Sequence, residues 1–115
     1  MAETKIIQMQ DYEYHVNEKG EVHRNDGPAV IHKDGSKHWY KNGKRHRIDG
    51  PAIEWGNGAK EWYQNDDLHR DDGPAIEWLD GDKWYFRGVQ IRYVKNLADF
   101  QSFTKTLMIQ EVMEE

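Results

Sequence analysis

The sequence predicts a mainly β fold: an elongated antiparallel β-meander of tandem 23-residue hairpin repeats, closed by a C-terminal α-helix. Three observations predict it. First, a seven-residue block recurs at a fixed spacing of 23. His23-Arg24-Asn25-Asp26-Gly27-Pro28-Ala29 returns as His46-Arg47-Ile48-Asp49-Gly50-Pro51-Ala52 and again as His69-Arg70-Asp71-Asp72-Gly73-Pro74-Ala75. Second, a turn dipeptide stands between consecutive blocks: Asp34-Gly35, Asn57-Gly58 and Asp80-Gly81. Third, beyond Gly88 the apolar residues change to a near-helical spacing.

Residues 1–22 are expected to supply a first strand, Lys5 to Met9, and a degenerate half repeat, Tyr12 to Val22. Three hairpin repeats follow at 23–45, 46–68 and 69–90. The aromatic pairs Trp39-Tyr40, Trp62-Tyr63 and Trp84-Tyr85 mark them, and the last pair comes one residue early. The turn dipeptides read as two-residue type I′ turns, which need positive φ at both centres. That reading sets Val30 opposite Trp39, Ile53 opposite Trp62 and Ile76 opposite Tyr85. On the same apolar face it sets His32 opposite Lys37, Trp55 opposite Lys60 and Trp78 opposite Lys83. The other face then carries Ala52, Glu54, Glu61 and Tyr63 in the second copy. In the third it carries Ala75, Glu77, Trp84 and Phe86. Glu54 would face Glu61, so this side is expected to be half-wet and acidic.

The Asp-Gly-Pro block reads as turn chemistry. Proline suits the first residue of a strand, glycine tolerates backbone angles that others avoid, and aspartate can accept from backbone N–H groups. Asn42-Gly43 and Asn65-Asp66 are expected to begin the long connections between hairpins. Residues 91–115 form the closing segment, with a helix from about Asn96 to about Met113. Its apolar stripe is Val94, Leu97, Phe100, Phe103, Leu107 and Met108. Ile109, Val112 and Met113 would widen it, to bury more sheet or to pair two subunits as a homodimer.

Composition narrows the function. The 115 residues carry a net charge of −5, with 37% hydrophobic and 32% charged residues. There is no basic excess to drive nucleic-acid binding. Five tryptophans and six tyrosines with patterned apolar residues argue against disorder. The chain has no cysteine, which excludes disulfides and thiolate metal sites and suits a reducing compartment. No signal-peptide run stands between Met1 and Gln10, and no segment has the length of a membrane span. A soluble cytoplasmic protein is expected.

The run Trp39-Tyr40-Lys41-Asn42-Gly43-Lys44-Arg45-His46 resembles the MORN-type repeat, a hairpin unit of similar length. The block His-Arg-x-Asp-Gly-Pro-Ala is closer to a variant of uncharacterised bacterial and bacteriophage proteins. The resemblance covers Tyr14 to Gly88. It implies a scaffold or interaction surface without shared catalytic residues, and the phage-like character implies a small protein that docks onto a host factor. Where the ordinary unit has Gly-x-Gly after the histidine, this chain has Arg-x-Asp-Gly-Pro, so membrane-lipid binding does not carry over.

Reactive groups are present but spread out. Equivalent residues of stacked hairpins stand ~10 Å apart, whereas zinc–nitrogen bonds are ~2.0–2.1 Å, so His23, His46 and His69 cannot share an ion. His32 and His38 fall on opposite faces in the register above. Arg24, Arg47 and Arg70 form a ladder, but Asp26, Asp49 and Asp72 stand two residues away and read as bracing partners. Glu54 and Glu77 are too far apart on a flat sheet for paired-carboxylate hydrolysis. No catalytic residue, metal or cofactor is therefore expected, and the chain reads as non-enzymatic.

Residues present in every copy read as architecture, and those that differ between copies as specificity. Ile48, Glu54, Glu61, Tyr63, Glu77 and Trp84 are the candidate partner-binding residues. The expected function is a protein-interaction module, in a phage or mobile-element setting an inhibitor of a host defence factor. The alternative is a nucleic-acid-binding or phosphate-mimicking acidic protein.

Overall fold

Each 23-residue unit contains two turn signals, and the protein uses both, for two different hairpins. The computed structural model describes residues 4–114, with side chains for residues 4–108. The strands are β1 (Lys5–Gln8), β2 (Tyr12–Val16), β3 (Val30–His32), β4 (Lys37–His38), β5 (Tyr40–Lys41), β6 (Lys44–Arg45) and β7 (Ile53–Glu54). They continue as β8 (Lys60–Glu61), β9 (Tyr63–Gln64), β10 (Asp67–Leu68), β11 (Ile76–Trp78), β12 (Gly81–Lys83), β13 (Tyr85–Phe86) and β14 (Val89–Gln90), before the helix α1 (Leu97–Glu114). Eight strands form one antiparallel sheet in the order β1-β2-β3-β4-β7-β8-β11-β12. The pairs β5-β6, β9-β10 and β13-β14 form three separate two-stranded ribbons. The result is the elongated hairpin architecture that the repeats predict, with a single helix at the C-terminal end.

The expected register is wrong by one residue in the first two copies. Val30 pairs with His38, and Ile53 pairs with Glu61. The cause is the loop type. His32 N–H donates to Ser36 C=O at 2.9 Å, closing a three-residue loop with Gly35 at φ +93°. Trp55 and Ala59 close the second loop in the same way at 2.9 Å, with Gly58 at φ +95°. In the third copy Trp78 pairs with Gly81 across the two-residue loop Leu79-Asp80, which accounts for the missing residue. There Ile76 faces Lys83 rather than Tyr85. The two-residue turns with positive φ at both centres are instead at the ribbon tips: Asn42-Gly43, Asn65-Asp66 and Arg87-Gly88. The dipeptides expected to begin long connections are tight turns.

A one-residue slip exchanges the faces of a strand. Glu61 therefore shares a face with Ile53 and Trp55, and Glu54 faces Lys60 instead of Glu61. Ala52 and Ala75, expected on a half-wet face, are completely buried, as is Ala29. His32 and His38, expected on opposite faces, have ring centroids 5.1 Å apart.

The repeated block is a brace, as its Arg–Asp spacing suggested. The Nε atoms of Arg24, Arg47 and Arg70 donate to Asp26, Asp49 and Asp72 at 2.9, 3.0 and 2.8 Å. Their Nη1 atoms donate to the carbonyls of Pro28, Pro51 and Pro74. Arg47 also lies 3.9 Å over the Trp39 ring and Arg70 3.8 Å over Trp62. The block histidines hold the ribbons: Nδ1 of His23, His46 and His69 accepts from the backbone N–H of Asn42, Asn65 and Arg87. Successive ribbons are tied by one backbone bond per step, Asp66 N–H to Arg45 C=O and Gly88 N–H to Leu68 C=O.

Two small cores result. Ala52, Ile53 and Tyr63 pack with Trp39 and Leu68. Phe86, Ile91 and Phe100 pack with Trp84, Val94 and Leu107, which docks the helix on the last ribbon. Asn96 Oδ1 caps the helix by accepting from Asp99 N–H at 2.9 Å. Within the expected stripe Phe100 is completely buried, whereas Leu97, Phe103 and Met108 are exposed; Thr104 is buried beside Phe100. The expected contributions of Ile109, Val112 and Met113 lie outside the described side chains. The extents are 46 × 37 × 17 Å and the radius of gyration 16.3 Å, against about 13 Å for a compact chain of this length.

Candidate functional site

The corrected register brings two rows of side chains onto one face of the large sheet. Equivalent positions of the three copies give His32, Trp55 and Trp78 in the first row. The strands opposite give His38, Glu61 and Lys83, which face Val30, Ile53 and Ile76. The rows interlock. The His38 ring meets Trp55 edge-on, with centroids 5.2 Å apart. Glu61 Oε2 accepts from the indole N–H of Trp55 at 2.7 Å and from that of Trp78 at 3.1 Å. Lys83 Nζ lies 5.2 Å from the Trp78 ring. Tyr12 extends the row, its ring 5.5 Å from His32 and 5.9 Å from Tyr14. An almost continuous band of rings thus crosses strands β2 to β11.

At its β11 end lies a groove of about 340 Å³ lined by Trp55, Asn57, Ala59, Glu61, Trp78, Leu79 and Asp80. Glu61 is only 5% exposed, yet all its bonds come from neutral donors. The third is the Tyr63 hydroxyl, which donates to Oε1 at 2.8 Å. Burial, reinforced by that carboxylate, pushes the Tyr63 phenol up to about 12. Burial and the neighbouring His32 hold His38 below the usual imidazole value. His38 Nε2 is buried without a hydrogen-bond partner among the described residues. Trp55 and Trp78 remain partly exposed, and Leu79 beside them is 81% exposed.

The six residues expected to bind a partner are dispersed. Only Glu61 lies in this groove. Tyr63 is buried beneath it as a donor to Glu61. Trp84 is a helix-docking residue, its ring edge-on to Phe100 with centroids 5.0 Å apart. Glu54 and Glu77 extend the arginine braces, at 3.7 Å from Arg47 and 2.8 Å from Arg70. Ile48 is 81% exposed, in the clefts between successive braces. Trp55, Trp78 and Asp80 were not among the residues expected to bind a partner. The signal for the tryptophans was present, since His32, Trp55 and Trp78 are spaced by the repeat period and differ between copies.

The geometry offers ring faces, one buried carboxylate and an open groove. Among the described residues no group of three or more His, Asp or Glu side chains could hold a metal ion, and no helix is long and apolar enough to cross a membrane. In comparisons with known proteins the chain matches no family model, no curated protein and no solved structure.

Proposed function

We propose that this protein is a non-enzymatic protein-interaction module, and that its binding face is the ring-lined face of the eight-stranded sheet. The observation that carries this reading is the band of Tyr12, His32, His38, Trp55 and Trp78, which the C-terminal helix leaves uncovered because it docks on the last ribbon. Tryptophan and tyrosine with scattered charges are the groups that dominate binding energy at protein interfaces. The two rows also vary between copies while the braces repeat, so the bracing does not depend on them.

Kinship with MORN-type repeats, and an origin in a phage or mobile element acting on a host factor, are proposed on the sequence resemblance alone. The test is affinity capture from bacterial lysate with three immobilised proteins: wild type, the double variant Trp55→Ser/Trp78→Ser, and Ile48→Ser. A stoichiometric protein retained by wild type and by Ile48→Ser, but lost with the double variant, is expected. Capture that survives the double variant would remove the ring-lined face as the binding surface. Capture of nothing by the wild type would remove the module itself.

A further inference from the structure

We infer that the groove between Trp55 and Trp78 receives the guanidinium group of an arginine side chain from a partner protein. The inference rests on the interaction-module reading and names what that face recognises. The chain itself supplies the pattern. In two of the three braces the arginine is held by a tryptophan face together with carboxylates. Arg70 lies 3.8 Å over Trp62 and bonds Asp72 and Glu77, each at 2.8 Å. Arg47 lies 3.9 Å over Trp39 and bonds Asp49 at 3.0 Å. The groove gathers the same groups, two indoles with the carboxylates of Glu61 and Asp80, without the arginine.

Charge points the same way. Asp26, Asp49, Asp66 and Asp72 each pair with an arginine, as do Glu54 and Glu77. Glu61 is more deeply buried than any of these, and its three hydrogen-bond donors are two indoles and a phenol. A buried carboxylate without a cation is costly to hold, and a cation placed above it recovers part of that cost. Lys83 does not serve, because its Nζ rests over the Trp78 ring and forms no ion pair with Glu61 among the described residues. The copies reinforce the point, since the positions equivalent to Glu61 hold His38 and Lys83, so only this step of the sheet carries negative charge between two tryptophans.

Guanidinium suits the groove better than ammonium. Three of the roughly four acceptor positions of the Glu61 carboxylate already face donors, so few remain for a compact, strongly hydrated head group. Guanidinium is weakly hydrated and planar, stacks on rings, and can turn its N–H edge to Asp80 at the rim.

The test follows the indole N–H resonances of Trp55 and Trp78 while N-acetyl-arginine amide is titrated into the wild-type protein. N-acetyl-citrulline amide, the neutral isostere, and N-acetyl-lysine amide serve as comparisons. Saturable shifts with the arginine probe are expected, at least about tenfold weaker with lysine and absent with citrulline. Glu61→Gln keeps an oxygen for both indoles and a group that the Tyr63 hydroxyl can meet, so it should fold. It should bind the arginine probe about tenfold more weakly, a loss of about 1.4 kcal/mol. Trp78→Leu provides a second variant with the same expectation. Equal shifts from citrulline, equal binding of lysine, or unchanged binding by a folded Glu61→Gln protein would each overturn the inference. A captured partner that is lost with Trp55→Ser/Trp78→Ser but kept by Glu61→Gln would leave the interaction module standing and remove the arginine.

Discussion

Gly27, Gly50 and Gly73 occupy the same place in three braces, and the structure ranks how badly each would tolerate alanine. None has positive φ, so the backbone angles expected to require glycine are not the reason for it. The arginine three residues earlier folds over the glycine instead. A Cβ would meet the guanidinium carbon at 3.2 Å from Gly27, 2.9 Å from Gly50 and 2.6 Å from Gly73. Carbon atoms are comfortable at about 3.5–4.0 Å, so Arg70 would have to withdraw by about 1 Å and Arg24 by a few tenths. Withdrawal of Arg70 weakens its bonds to Asp72, Pro74 and Glu77 and its stack on Trp62. Partly exposed ion pairs contribute about 0.2–1 kcal/mol each and the stack about 0.5–1 kcal/mol. Alanine also stiffens the unfolded chain, which returns about 0.4–1 kcal/mol. The balance for Gly73→Ala is a loss of about 1–2 kcal/mol, a fall in Tm on the order of 4–8 °C. Gly27→Ala should be close to neutral and Gly50→Ala should lie between. Urea denaturation of the three variants measures the series. The decisive control is Gly73→Ala in an Arg70→Ala background, where the cost should disappear. A Gly73→Ala protein as stable as wild type, or a cost that persists without Arg70, would refute the brace as the reason for the glycine.

Other parts of the fold are open to similar tests. Gly56→Ala would drive a Cβ into the backbone carbonyl oxygen of Asp34, a neighbour that cannot swing aside, and should cost about 2–3 kcal/mol in urea denaturation. Trp84→Ala should cost about 2–4 kcal/mol and reduce helical circular dichroism, because Trp84 packs the helix against the last ribbon. His46→Ala removes the acceptor of the Asn65 N–H and should cost about 0.5–1.5 kcal/mol. His15, His38 and His46 are all held below the ordinary imidazole value of about 6.5, chiefly by burial, so the fold favours their neutral forms. That contribution is fully present above pH 6.5 and is lost as pH falls through the lowered values in the folded protein. Stability measured in urea should therefore decline on the acid side of that point, and His38→Phe should decline less.

The period, the strand class and the start of the helix were legible because they depend on spacing alone. His23, His46 and His69 announce the unit, and the change of apolar spacing after Gly88 announces the helix. The register was not legible. Asp-Gly suits a two-residue type I′ turn, and it equally suits the last two positions of a three-residue loop, where only the glycine needs positive φ. Asp34 and Asn57 take the second option, and their side chains accept from the N–H of Ser36 and Ala59. One residue of error moved Glu61 and Tyr63 from the interior to the surface, and hid the relation of Trp55 and Trp78 to Glu61. The Arg–Asp brace was legible because both partners lie within one short block. The docking of Trp84 was not, because it depends on Phe100 from a different element.

Repetition also explains why the variable positions are free to vary. The braces use Arg, Asp, Gly, Pro and Trp within and between neighbouring units, and the histidines fix each ribbon through one backbone bond. None of these contacts uses a side chain at positions 32, 55 and 78, or at 38, 61 and 83. The face those six residues share can therefore change its charge from copy to copy, from His38 through Glu61 to Lys83, while the steps of the sheet stay the same. Chemistry that varies on this scaffold is gathered on that one face, and among the described residues Glu61 between two indoles is a buried carboxylate without an ion-pair partner.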